Sequence, residues 1–351
     1  MGRQIAAFPG WSANPYINLL YLAPRCAGWN VETPKSVDEL WRAVENFSRG
    51  DVIHVHWLSP VFAGAPDAAT AERQSRDFRG KIDRLLNKGI RLFWTIHNVT
   101  AHDSAFYDQE VALSQYLSDR SELIFVLNSA TVEVTAPHYS VPPDKVRLLL
   151  HSSYQGVYPQ GDTQEEARSR LGIASDVPVV GFVGQARPYK GIDTLLQAAT
   201  LLIPRVPELV VLVRGKTPED EMARLRASVE NCGADVRWDP TFVPDDELQT
   251  WLRASDVIAL PYARVLNSGS VYLSATFGVP CVLPREKQFE SLFATEDWVT
   301  YFERDTGAPG LADALLSALA KSGFARESAE AFARRRTPFE MSCEYLGFIA
   351  H

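Results

Sequence analysis

Titratable side chains are concentrated in one short stretch of the first half of the chain. His97 and Asn98 directly follow an apolar run at residues 91–96, and His102 and Asp103 come soon after them. A histidine beside a carboxylate can act as a general base, because the carboxylate fixes the ring tautomer and stabilises the imidazolium. The stretch therefore predicts proton abstraction by His97, His102 or Asp103. The alternative is a capped loop in which Asn98 and Asp103 bond to backbone groups.

Basic residues and a glycine form a second candidate site in the other half of the chain. An apolar run at residues 179–183 is followed by Gly184, Gln185, Arg187 and Lys190. A helix is predicted just beyond them, and a helix N-terminus attracts anions through its amides and its dipole. Arginine can bind phosphate oxygens in a bidentate manner, and lysine adds a point charge. The pattern predicts a diphosphate site, and an exposed basic loop is the alternative.

A third stretch offers another helix start that could accept an anion. Asn267, Ser268, Gly269 and Ser270 precede a predicted apolar helix and supply hydroxyl groups and backbone amides. The alternative is a plain helix N-cap. Two such starts in one half of the chain predict that both bind a single diphosphate.

Several residues that follow other predicted strands are candidates for lining a ligand cleft. Gly10 and Trp11 lie in the turn after the first apolar run, and His56 lies near the end of another at residues 52–57, with His54 on the same face. We expect Gly10, Trp11 and His56 to line the cleft, together with Asn98 and Asn267. The alternatives are a tight turn at Gly10 and packed, hydrogen-bonded histidines. The first turn is not a G-x-G-x-x-G fingerprint, so a nicotinamide dinucleotide site is poorly supported.

The elements that position these residues alternate between short apolar strands and longer amphipathic helices along the whole chain. This order predicts an α/β protein with two doubly wound, parallel-sheet, Rossmann-like domains, which fits the length of 351 residues. Predicted boundaries are 1–155, 156–336 and a C-terminal helix at 337–351, which could pack on its own domain or cross back to the first. Ligands of such sheets bind outside the carboxyl ends of the strands, where all the candidate residues lie.

Composition narrows the class of protein further. The 35 Lys+Arg against 43 Asp+Glu give a net charge of −8, which argues against a nucleic-acid binder with a general basic surface. The four cysteines show no metal-ligand spacing, so we expect no zinc site, no disulfide framework and a reducing, cytoplasmic compartment. No apolar run is long enough to span a membrane. Residues 334–336, three arginines, are a small candidate for peripheral membrane contact, and a solvated helix end is the alternative.

The motifs of the second half resemble a known family. The runs G-Q-A-R-P-Y-K-G-I-D, S-D-V-I-A-L-P-Y and N-S-G-S-V-Y-L-S-A-T-F-G-V-P-C-V resemble the donor-binding region of GT-B glycosyltransferases of the family-4-like group, the glycosyl transferases group 1. In the first half, H-V-H-W and T-I-H-N-V-T-A-H-D are similar to bacterial polysaccharide-assembly glycosyltransferases, including β-mannosyltransferase-like members. The resemblance implies a GT-B fold whose first domain binds an acceptor and whose second binds a nucleotide-diphospho-sugar, with the chemistry in a cleft between them.

The resemblance also assigns roles to single residues. Lys190 matches the diphosphate-binding lysine of the family, and Ser268, Gly269 and Ser270 match the loop whose amides meet the diphosphate. Gln185 stands where the family usually has arginine, for which Arg187 could compensate.

The main departure from the family pattern is the loss of its two glutamates. Val265 and Leu273 occupy the corresponding positions. Ribose recognition must therefore differ, and the family's retaining stereochemistry is in doubt. An inverting reaction would need a base, for which His97, His102 and Asp103 are the candidates.

The expected function is transfer of a hexose from a UDP- or GDP-linked donor to a hydroxyl of a saccharide or lipid-linked acceptor, without metal or cofactor. The expected location is cytoplasmic, with peripheral contact at the inner face of the membrane left open. Two alternatives remain: a nucleotide-sugar 2-epimerase on the same fold, and a non-catalytic nucleotide-sugar-binding protein that has lost its activity. The sequence leaves open the donor sugar, its base, the acceptor and the stereochemical outcome.

Overall fold

The computed structural model describes residues 2–11, 14–101 and 104–350. The chain divides into two compact units. The first comprises residues 1–151 and 338–351, and the second comprises residues 152–337. The C-terminal helix, whose partner the sequence left open, thus belongs to the first unit.

Both units are built from short parallel strands. In chain order the strands are β1 Gln4–Phe8, β2 Asn30–Glu32, β3 Val52–Val55, β4 Arg91–Ile96, β5 Leu123–Val126, β6 Val146–Leu148, β7 Val179–Val183, β8 Val210–Arg214, β9 Asp235–Asp239, β10 Val257–Ala259, β11 Cys281–Pro284 and β12 Val299–Phe302. The first unit holds a sheet in the order β2-β1-β3-β4-β5-β6, and the second a sheet in the order β12-β11-β10-β7-β8-β9. The predicted pair of doubly wound parallel sheets is confirmed.

Helices connect successive strands. In chain order they are α1 Pro15–Leu20, α2 Leu22–Cys26, α3 Val37–Ala43, α4 Ala68–Asn87, α5 Tyr107–Arg120, α6 Thr131–Thr135, α7 Gln164–Arg170, α8 Ile192–Leu202, α9 Glu219–Glu230, α10 Leu248–Ala254, α11 Gly269–Thr276, α12 Lys287–Phe293, α13 Gly307–Arg334 and α14 Pro338–Ile349. Their ends follow local capping chemistry. Ser36 accepts a hydrogen bond from the backbone N–H of Glu39 at the start of α3, and Asp67 accepts one from Thr70 at the start of α4.

Strands β3, β5, β7 and β8 are apolar apart from His54 in β3 and Arg214 in β8. Every residue of β3, β5, β7 and β8 is buried, as expected where helices cover both faces of a parallel sheet. One predicted strand is shorter than expected, because β3 ends at Val55 and not at residue 57. The N–H of His56 still donates to the carbonyl of Phe8 at 2.6 Å. His56 and Trp57 therefore lie just beyond the carboxyl end of the strand.

Helix α14 is held in the first unit by one buried serine and a row of large side chains. Ser342 Oγ accepts from the N–H of Ala23 and donates to the carbonyl of Leu20, both at 2.7 Å. Met341, Tyr345 and Ile349 share the buried face of the helix because residues four apart lie on one side. This helix brings Tyr345 into the core of the first unit.

Candidate active site

Three histidines lie at or near the carboxyl edge of the first sheet. His54 is in β3, His56 follows β3, and His97 follows the neighbouring strand β4, which pairs with β3 in parallel. All three side chains are buried. His56 Nδ1 lies 3.1 Å from His97 Nε2, so these two predicted site residues are hydrogen-bonded to each other.

Hydroxyl groups surround the innermost of these histidines. Tyr21 and Tyr345 place their hydroxyl oxygens 2.8 and 2.9 Å from His54 Nδ1. The hydroxyl of Thr95 lies 2.8 Å from His54 Nε2. Tyr21 also reaches His56, at 2.9 Å from Nε2. The histidines are therefore parts of one buried hydrogen-bonded network and not isolated core residues.

Burial keeps the three imidazoles neutral. Desolvation is the main cause that lowers the pKa of His54, His56 and His97 well below the ordinary value. For each ring, a neighbouring histidine lowers the pKa further, because two positive charges would repel. A neutral imidazole can accept a proton, which is the state a general base requires.

Tryptophan rings cover His97. Trp57 stacks on His97 with ring centroids 4.1 Å apart, and Trp11 stacks on Trp57 at 4.9 Å. The structure thus brings the predicted residue Trp11 into one aromatic stack with His97, and Trp11 remains 36% exposed. Gly10 lies against Thr33, where a Cβ would come within 2.3 Å of the Thr33 Cβ. Close packing in the first turn accounts for this glycine.

A small cavity of about 40 Å³ lies beside the histidines. His56, His97 and Asn98 line it, together with Glu110 of α5. Glu110 is buried, and its carboxylate accepts a 2.6 Å hydrogen bond from the N–H of Ala101. It therefore anchors the loop that follows β4. His102 and Asp103, which the sequence singled out as candidate bases, lie outside the described residues.

Sequence reasoning missed Glu110, although a signal was present. Glu110 stands three and seven residues before Leu113 and Leu117, which are buried on the same helix. An acidic residue on the apolar face of an amphipathic helix needs a buried partner. That conflict between residue type and position could have identified it.

In the second unit, the loop that begins at Gly184 after β7 lies against the loop that follows β8. Gly184 has a positive φ of 147° and donates to the carbonyl of Arg214 at 2.9 Å. A Cβ on Gly215 would come within 2.1 Å of the Gly184 carbonyl oxygen. The backbone at both positions therefore requires glycine. Gln185 is exposed and Arg187 is partly buried beside it.

The loop that leads into α8 lies against the loop that follows β10. A Cβ on Gly191, which precedes α8, would come within 2.1 Å of the Pro261 carbonyl oxygen. The N–H of Ala263 donates to the carbonyl of Tyr189 at 2.8 Å. The sequence predicted that the two helix starts are close, and these contacts join the first loop to the segment that leads into the second.

Tyr262 links the two loops through its side chain. Its hydroxyl lies 3.4 Å from Lys190 Nζ and 2.9 Å from Ser268 Oγ. Ser268 precedes α11, but its hydroxyl bonds to Tyr262 and makes no cap to the helix. Gly269 and Ser270 form the first turn of α11, and Asn267 lies in the loop before it. Tyr262 was not predicted, because an apolar run gives no sign that its last tyrosine faces a lysine.

Lys190 is held as a cation among aromatic rings. Burial lowers its pKa, but Tyr262 and Tyr189 raise it more, so the net shift is upward. The ammonium lies 4.6 Å from the Tyr262 ring centroid, a favourable cation–π distance. Lys190 is therefore positively charged and partly buried.

The remaining features suggested by the sequence concern metals, membranes and thiols. Within the described residues there is no group of three or more His, Cys, Asp or Glu side chains that could hold a metal ion, and no helix long and apolar enough to cross a membrane. The four cysteines are unpaired. Of the three arginines at 334–336, Arg334 and Arg335 form ion pairs with Glu330 and Glu296.

Comparisons with known proteins identify the second unit. Residues 163–335 match the family model of the glycosyl transferases group 1. The second unit is a group 1 glycosyltransferase domain. This match and the two six-stranded parallel sheets make the fold GT-B, so the fold class and the family expected from the sequence are confirmed.

Two relatives and one solved structure are similar to this chain over different shares of its length. D-inositol 3-phosphate glycosyltransferase from Corynebacterium glutamicum is 28% identical over 189 residues, 49% of this chain and 45% of that protein, so the chain spans less than half its length. GDP-mannose:glycolipid 4-beta-D-mannosyltransferase from Xanthomonas campestris pv. campestris is 24% identical over 280 residues, 79% of this chain and 71% of that protein. The structure of Anabaena HepE in complex with UDP and glucose covers 100% of both chains with a TM-score of 0.73 at 12% identity, which shows a shared fold.

Proposed function

We propose that this chain is a glycosyltransferase that moves a hexose from a nucleotide-diphospho-sugar to a hydroxyl of a saccharide or lipid-linked acceptor. The observation that carries the proposal is the contact of Lys190 and Ser268 with one tyrosine, Tyr262, in a group 1 glycosyltransferase domain. A partly buried cation near two helix N-termini suits a diphosphate. The second unit then takes the donor and the first unit takes the acceptor.

The names of the relatives support both substrates. The Xanthomonas relative is named for GDP-mannose and a glycolipid, and the fold neighbour HepE was solved with UDP and glucose. We therefore propose a GDP- or UDP-linked hexose as donor. The unpaired cysteines fit a reducing compartment, so we propose a cytoplasmic enzyme that meets a lipid-linked acceptor at the membrane surface.

The proposed reaction needs positive charge at the leaving diphosphate. Charge develops on the diphosphate as its bond to the sugar breaks, and preorganised donors at that point lower the barrier. Lys190, Arg187 and the amides at Gly269 and Ser270 would supply those donors. We propose that these groups take the place of a metal ion and that the reaction uses no other cofactor.

The proposed acceptor chemistry is an inverting displacement. The residues Val265 and Leu273 replace the family's two glutamates, and an inverting reaction needs a base to deprotonate the acceptor hydroxyl. His97 is buried, neutral and hydrogen-bonded to His56, which suits that role. His102 and Asp103 remain candidate bases as well.

The proposal is tested by transfer assays with UDP- and GDP-linked hexoses and a lipid-linked saccharide acceptor. Replacing Lys190 with Ala should lower kcat/KM about 100-fold, because it removes one charge from the transition state of the leaving group. Lys190→Arg should keep part of the activity. Lys321→Ala, which removes a lysine from α13 of the same unit, is the matched control and should behave like the wild type.

Three outcomes would contradict the proposal in different ways. Undiminished transfer by Lys190→Ala would remove the diphosphate assignment. Conversion of the donor in the absence of any acceptor would favour an epimerase. Donor binding measured by calorimetry without any turnover would favour a non-catalytic binding protein.

A further inference from the structure

A continuous series of buried polar side chains runs from the C-terminal helix to His97. Its members, called here the histidine–tyrosine chain, are Tyr345, His54, Tyr21, His56 and His97. Consecutive polar atoms are 2.9, 2.8, 2.9 and 3.1 Å apart. All five side chains are 8% exposed or less. Such a network is costly to bury unless every member is satisfied, so its length requires an explanation beyond packing.

The hydrogen bonds of the chain can run in either of two directions. The partners of His54 are the hydroxyls of Tyr21, Tyr345 and Thr95. A hydroxyl can donate or accept, so His54 keeps its hydrogen bonds whether its ring is neutral or cationic. Tyr21 lies between His54 and His56 and can likewise donate to either ring.

We propose that the histidine–tyrosine chain is a proton relay that carries the acceptor's proton transiently from His97 into the interior of the first unit. The proposal rests on the proposed function, with His97 as the residue that receives the proton. His97 is then the catalytic residue. His56, Tyr21, His54 and Tyr345 are positioning residues that act through it.

The proton transfers of this relay balance without any further reactant. At rest each of the three histidines carries its hydrogen on Nε2, so that His97 donates to His56 Nδ1, His56 donates to Tyr21, and Tyr21 donates to His54 Nδ1. The proton from the acceptor O–H arrives on His97 Nδ1 as the new bond to the sugar forms.

Each hydrogen bond of the chain then transfers its hydrogen by one place. The Nε2 hydrogen of His97 moves to His56, that of His56 moves to Tyr21, and the hydroxyl hydrogen of Tyr21 moves to His54 Nδ1. His54 becomes an imidazolium whose Nδ1–H is shared by the hydroxyl oxygens of Tyr21 and Tyr345 and whose Nε2–H is donated to Thr95. The proton returns along the same path to solvent after the product leaves.

Aromatic and charged residues surround the histidine–tyrosine chain. Tyr16 packs edge-on against His97 with centroids 5.0 Å apart, and His151 opposes a positive charge on that ring. Glu110 lines the cavity beside His56 and His97. At the inner end, Arg25 acts on Tyr21 and Arg91 on Tyr345. Glu110 favours a cation near the outer histidines, whereas both arginines disfavour one at the inner end, which favours return of the proton.

The decisive variant is Tyr21→Phe, which breaks the link between His56 and His54 and keeps the ring. We expect kcat for transfer to fall about tenfold while the KM for the donor stays unchanged, because the proton step alone is affected. The matched control is Tyr139→Phe. Tyr139 is a buried tyrosine of the same unit that packs on Trp94, and its hydroxyl takes no part in the chain. Wild-type kcat in Tyr21→Phe would overturn the relay.

A second measurement does not depend on activity. Long-range proton–nitrogen NMR spectra of the wild-type protein near neutral pH should show His54, His56 and His97 all as Nε2–H tautomers. The Tyr21→Phe variant should change the tautomer populations of His54 and His56, and Tyr139→Phe should not. Finding His56 and His97 as Nδ1–H tautomers would overturn the proposed direction. If no donor is turned over although the tautomers are as expected, the proposed function fails and the network stands.

Discussion

At the scale of single residues, the three buried histidines couple the stability of the protein to pH. Burial lowers the pKa of His54, His56 and His97 in the folded state, whereas the unfolded chain binds protons at the ordinary histidine pKa of about 6.5. Between those values the unfolded state holds more protons, so stability rises with pH. We expect the free energy of unfolding to fall as the pH drops below about 6.5, by up to about 1.4 kcal/mol per pH unit for each histidine.

Urea denaturation at a series of pH values measures this slope. His138, an exposed histidine of the same unit, provides the control. The His138→Asn variant should retain the wild-type slope. A free energy of unfolding that stays constant as the pH falls through this range would show that the three histidines are not buried as neutral rings.

At the scale of secondary-structure elements, α14 is coupled to α1 and α2 through Ser342. Its hydroxyl satisfies the N–H of Ala23 and the carbonyl of Leu20 at once. Ser342→Ala would leave both backbone groups buried without this partner, and we expect a loss of about 1 to 3 kcal/mol in stability. Chemical denaturation measures it. Cys343→Ser changes the exposed neighbour on the same helix and should alter stability little, and equal losses in both variants would contradict the assigned role of Ser342.

Sequence patterns predicted the elements better than the contacts between them. The run at residues 91–96 predicted β4, and the rule that ligands lie beyond strand ends selected His97 and Asn98. The same rule selected Lys190 and Ser268, each at the start of a helix.

Long-range contacts were out of reach of these patterns. Tyr345 is 291 residues from His54, and Tyr262 is 72 from Lys190. Periodicity indicates that such a tyrosine faces inward but not which polar atom it meets, because that depends on the tertiary packing of distant elements. The sequence therefore predicted the outer residues of each candidate site, whereas the tyrosines behind them emerged only from the fold.

At the scale of the whole molecule, the net charge of −8 opposes an anionic donor, so its attraction must be local. Arg168 and Arg285 are paired with carboxylates. Lys190 instead contacts a tyrosine hydroxyl and tyrosine rings. Within the described residues Lys190 forms no ion pair with a carboxylate, so its charge is available to the proposed diphosphate.

This local charge predicts how a nucleotide will stabilise the two units. Each unit has its own sheet and core, and the proposed diphosphate site lies wholly within residues 152–337. A ligand that binds only the folded state at 100 times its Kd adds about 2.7 kcal/mol. We therefore expect UDP or GDP to raise the melting temperature of the second unit's transition in differential scanning calorimetry, and Lys190→Ala to abolish most of that rise. The Tyr21→Phe variant should keep the full shift, because it alters only the first unit. A nucleotide shift that survives in Lys190→Ala would place the diphosphate elsewhere.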